Sequence, residues 1–170
     1  AAGSSLSRGE VARVIEALST YVKSPDIDLF SELLRLPSLE RALCDEYAHD
    51  PVRRLDAWRE TRVGGTLEDL RTLSDAGDGG GDRLLRTVLI RLDRLLSPLQ
   101  DARDGRACSL AAGALLRTIF ESQRRKDGRD RQGMVSRSLD AIESLIATLN
   151  SCDGLPFLSP TALFDLFSKS

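Results

Sequence analysis

Leucines recurring every three or four residues constrain this chain more than any other feature. Val11, Val14, Ile15, Leu18 and Val22 fall on one face of a helix predicted from about Gly9 to Lys23. Leu84, Leu85, Val88, Leu89, Leu92, Leu95 and Leu96 form a second, wider stripe, broad enough to pack on more than one neighbour. No segment sustains the period-two alternation of a half-buried strand. The expected class is all-α, an irregular multi-helix bundle or short α-solenoid of about eight or nine helices. The 170 residues hold 29 leucines and are 41% hydrophobic, enough apolar material to build a core.

Caps and breakers divide the chain. Ser24-Pro25 reads as a cap followed by a first helical residue, opening a helix with Ile27, Phe30, Leu33 and Leu34. Pro37-Ser38 ends it and starts another, and Asp50-Pro51 repeats the device before Val52, Leu55 and Trp58. Thr66 with Asp69 resembles a capping box. The glycines of 76–82 form an expected flexible loop between an N-terminal helical part, 1–75, and a C-terminal part, 83–170, with the two parts packed as one domain. Asp82 is the expected cap of the next helix, and Ser97-Pro98-Leu99-Gln100 a capping box around one short turn. Ala107 to Phe120 is a helix rich in small residues, with Leu110, Leu115, Leu116 and Ile119 as its bulk, and is expected to lie centrally. Ser122 to Gly133 reads as an exposed loop, and short connections predict that sequential helices are antiparallel neighbours. A further helix carries Met134, Leu139, Ile142, Leu145, Ile146 and Leu149 and ends at about Asn150, and the tail Leu155 to Phe167 closes the core or forms an apolar ridge.

Composition excludes several functions. Basic residues number 24 and acidic 26, a net charge of −2 that disfavours a globally basic nucleic-acid binder. No run reaches the roughly 18 apolar residues of a membrane span. The opening Ala1-Ala2-Gly3-Ser4-Ser5 lacks the features of a secretory leader and reads as a domain edge. Cys44, Cys108 and Cys152 are widely spaced, without a CxxC, and read as reduced, small apolar residues. A cytoplasmic or other intracellular location is expected on that basis.

Two stretches carry resemblances to known families. Arg83 to Phe120 sets a leucine-rich helix, a break at Leu96-Ser97-Pro98, an Asp/Arg turn (Asp101 to Arg106) and a small-residue helix in series. That order resembles an armadillo or HEAT-type helical pair, and implies a solenoid groove that binds peptides or proteins. The run Leu29 to Leu43, with its Leu33-Leu34 pair, Pro37, Leu39 and Ala42-Leu43, is similar to the middle of L27 domains, which implies pairing with a like domain.

Residues able to carry chemistry are few. His49 is the sole histidine, at a predicted helix end, where an imidazolium would favour the negative pole of the dipole. Cys44 lies five residues earlier, roughly 140° around an ideal helix, so the two do not face each other. The carboxylate pairs Asp45-Glu46 and Glu68-Asp69 are sequence neighbours, which do not converge on a helix. No calcium-loop or di-iron pattern is present, and no cofactor or metal is expected. The segment Arg124-Arg125-Lys126-Asp127-Gly128-Arg129-Asp130-Arg131 holds five basic and two acidic residues, without an aromatic to stack a base.

The expected function is therefore non-enzymatic: an interaction domain, scaffold or adaptor, taking a partner peptide or helix between its helices. The expected partner contacts are Arg86, Arg91 and Arg94 on the polar side of their helix, with Arg124, Arg125 and Arg129 in the basic segment. Self-association through Ile27 to Leu43 is the first alternative, and nucleic-acid contact by the basic segment the second.

Overall fold

A computed structural model describes residues 3–44, 50–73 and 80–126, together with 140, 143, 144 and 147; for 3–8, 80–82, 105 and 122–126 it describes the backbone alone. Seven helices make up the described residues: α1 (Gly3–Lys23), α2 (Ile27–Leu34), α3 (Pro37–Leu43), α4 (Pro51–Thr61), α5 (Leu67–Thr72), α6 (Gly80–Gln100) and α7 (Gly105–Lys126). No strand occurs among them. The described residues are all-α, with seven helices delimited among them against eight or nine expected for the whole chain, and positions 140, 143, 144 and 147 are helical too. The segments expected to carry helices after Gly133 lie outside the described residues, apart from four positions.

Local chemistry explains most helix starts. The Asp50 carboxylate accepts the Arg53 N–H at 2.9 Å, and Pro51 fills the first turn of α4. Asp50 is left-handed, with φ 51°, a conformation an aspartate tolerates better than most residues. Thr66 and Asp69 form the full capping box of α5: the Thr66 hydroxyl accepts the Asp69 N–H at 3.2 Å and the Asp69 carboxylate accepts the Thr66 N–H at 2.7 Å. That backbone bond, then the Thr66 hydroxyl, holds the Asp69 carboxyl below the ordinary range.

Other boundaries differ from expectation. Asp26, not Ser24, caps α2, because its extended backbone lets the carboxylate reach the Leu29 N–H at 2.8 Å. Helix α6 starts at Gly80, so 80–82 are helical rather than loop and Asp82 is not its cap. Pro98 does not break α6, which runs on to Gln100. Proline lacks one N–H, but Leu99 is fully buried on the face of Leu92 and Leu96, and its burial holds the last turn in place. The Ser97 hydroxyl turns forward to the Asp101 carboxylate at 3.1 Å. The break falls instead at Asp101–Asp104, where the Asp104 carboxylate accepts the Ala107 N–H at 2.7 Å. The backbone of helix α7 continues through 122–126, expected as loop.

The helices share one core. Val14, Leu18, Phe30, Leu33, Leu39, Leu55, Leu70, Leu85, Leu92, Leu116 and Phe120 are all fully buried within it. Sequential helices α1–α2, α2–α3, α5–α6 and α6–α7 pack together; the most extensive pairing joins α3 to α7, and α4 also lies on α6. Most sequential helices are therefore neighbours as expected, and the long-range pairing of α3 with α7 is added to them. The short α2 and α3 expose too little surface to cover each other, and α7 closes over α3. Leu110, expected as core bulk, is 52% exposed, because it shares the solvent face of α7 with Arg106, Ala114 and Arg117.

Between α4 and α5 the chain makes a tight turn. The Gly65 N–H donates to the Arg62 carbonyl at 3.0 Å, and Gly64 has φ +78°, the signature of a type II turn. Val63, 98% exposed, occupies its second position, which proline favours. Val63→Pro is expected to raise stability by about 0.5–1 kcal/mol by restricting the unfolded chain. A lower denaturant midpoint for this variant would show that the turn is misassigned.

Candidate functional site

Helix α6 offers the clearest surface. Its buried side carries Leu85, Val88, Leu89, Leu92, Leu96 and Leu99. Arg83, Thr87, Arg94, Ser97 and Pro98 face solvent on the other. Ile90 is half-buried in the middle of that exposed stripe, and among the described residues it joins neither the core nor the apolar side chains that line the core. At 100° per residue, Arg83 and Arg94 lie within about 40° of Ile90 around the helix, seven residues before it and four after.

The flanks of the stripe are tied into the fold. On one side Arg91 donates from Nη1 to the Leu43 carbonyl at 3.0 Å, satisfying a C-terminal carbonyl of α3. On the other, Asp93 accepts a two-pronged hydrogen bond from Arg71 of α5, Nε at 3.0 Å and Nη2 at 3.2 Å. The bond to Asp93 raises the Arg71 pKa further.

Tyr21 of α1 shares the electrostatic field of that pair. It is 2% exposed, and its hydroxyl has no hydrogen-bond partner among the described residues. Burial pushes the phenol pKa well above its ordinary range; the Asp93 charge adds to this and Arg71 opposes it. The folded chain thus keeps the Tyr21 proton at a pH where the unfolded chain releases it, so stability falls as pH rises past about 10. Tyr21→Phe is expected to hold or raise the thermal midpoint at neutral pH, since it removes a buried unpaired hydroxyl. It should also flatten the alkaline loss. A calorimetric pH series in which the variant loses stability as steeply as the parent above about pH 10 would refute this.

Of the sequence-predicted contacts, Arg94 lies at the centre of the exposed stripe, while Arg86 and Arg91 are half-buried at its two borders. Arg91 has the architectural role given above. Arg124 and Arg125 belong to the last turn of α7 rather than to a loop, and their side chains lie outside the described residues, as does Arg129 entirely. His49, Cys152 and the tail Leu155 to Phe167 also lie outside them. Arg83 and Ile90 were missed. Arg83 directly follows the 76–82 stretch expected as loop, and Ile90 differs from the core leucines only by its angle on the helix.

Elsewhere, Cys44 and Cys108 are buried thiols, and burial, then Asp104, pushes the Cys108 pKa up, away from reactive thiolate. Among the described residues no cluster of three or more His, Cys, Asp or Glu is placed to hold a metal, and no helix is long and apolar enough to cross a membrane. The apolar residues of 27–43, proposed for self-association, are mostly internal: Phe30, Leu33, Leu34, Leu39 and Leu43 are fully buried.

Among the described residues the architecture is all-α. No protein-family model, curated protein or solved structure matches the chain.

Proposed function

We propose that this chain is a protein–protein interaction domain of scaffold or adaptor type, binding a partner peptide or helix on its helical surface. One observation carries the reading: Ile90, half-buried and apolar, lies on a rigid helix between exposed Arg83 and Arg94. Binding surfaces commonly place an apolar anchor inside a polar rim, with arginine enriched among the contacts that matter energetically. Rigidity supports the reading as well, because α6 packs on α3, α4, α5 and α7 and its surface is held in place before any partner arrives.

The test is affinity capture with the whole chain as bait, followed by reconstitution of each captured protein in purified form. A purified partner that binds saturably supports the reading. Failure of every captured protein to bind directly would end it.

A further inference from the structure

We propose that the α6 stripe docks an acidic amphipathic helix, with an apolar side chain on Ile90 and carboxylates on Arg83 and Arg94. This inference rests on the interaction reading above and adds the chemistry of the partner.

Charge is the first argument. Between residues 83 and 106 the sequence holds six arginines and three aspartates, in a chain whose net charge is −2. All three aspartates are engaged internally: Asp93 by Arg71, Asp101 by the Ser97 hydroxyl, and Asp104 by the Ala107 N–H. The exposed arginines are Arg83, Arg94, Arg103 and Arg106. The two exposed aspartates, Asp101 and Asp104, keep their charge, so residues 83–106 carry a formal +3 against −2 for the whole chain, and on the stripe itself the charges are those of Arg83 and Arg94, which would draw in an anionic partner and fix its register.

Spacing is the second. Arg83 and Arg94 are eleven residues apart, about 16 Å along the axis, and they share the Ile90 face. Anchors repeating at three, four and seven residues match the way one helix reads another. The central Ile90 favours this partner over a phosphate backbone, against which an apolar side chain gains nothing. No exposed aromatic on the described part of α6 offers a base a stacking platform.

The probe is a synthetic helix of about 20 residues with leucine on one face and glutamate on the flanks, titrated into the full chain by fluorescence anisotropy and by amide chemical shifts. Expected is saturable binding, shifts centred on residues 83–98, and weakening as salt rises from about 0.05 to 0.3 M. The double variant Arg83→Glu/Arg94→Glu should bind at least about tenfold more weakly, with its thermal midpoint unchanged. Arg13→Glu/Arg53→Glu, which alters exposed arginines on α1 and α4, should bind like the parent. Equal binding by parent and Arg83/Arg94 variant overturns the proposal. So does binding to duplex DNA or phosphatidylserine vesicles in preference to the peptide, or a concentration-dependent dimer that the variant abolishes. A purified protein partner that binds parent and variant alike would overturn this site while leaving the interaction reading intact.

Discussion

Alanine in place of Phe30 is expected to destabilise the fold by about 3–5 kcal/mol, the cost of a lost aromatic side chain and the cavity it leaves. Phe30 is fully buried on α2, which packs on α1, α3 and α4, so collapse around the gap would have to move three neighbours at once. Leu110→Ala is the control. Leu110 is 52% exposed, and its loss should change stability by no more than about 0.5 kcal/mol. Chemical denaturation of both variants checks the pair. Similar losses in the two would mean that the faces of these helices are wrongly assigned.

Gly65→Ala comes second. A Cβ at that position would lie 2.5 Å from Trp58 Cη2 and 2.7 Å from Cζ3. The ring is the rigid partner: Trp58 is 3% exposed, and the Arg62 guanidinium covers it at 5.7 Å from the centroid. Forcing a methyl group against it should cost about 1–3 kcal/mol, with blue-shifted or red-shifted tryptophan emission reporting the displaced ring. Gly65→Ala melting with the parent would show that the indole can yield.

The class of this fold was legible because its evidence is local. Val14, Leu18, Leu85 and Leu92 recur at helical spacing and are buried as that spacing requires. Asp50-Pro51 and the Thr66–Asp69 pair mark helix starts through bonds made within three residues. What could not be read depends on distant contacts. Pro98 stays helical because Leu99 finds a core, and Leu110 faces water because α3 and α6 take the other sides of α7. The site was partly legible for the same reason. Arg94 could be placed on a polar face by counting residues. That Arg91 would brace α3, 48 residues away in sequence, could not.

The pairing of α3 with α7 also has a consequence for how the polypeptide is made. Three helices are synthesised between α3 and α7, so the face of α3 that α7 covers must wait for it while α4, α5 and α6 are made. Folding of such a topology is slowed by long-range closures of this kind, and the nascent chain is exposed to misassembly in the interval before α7 emerges.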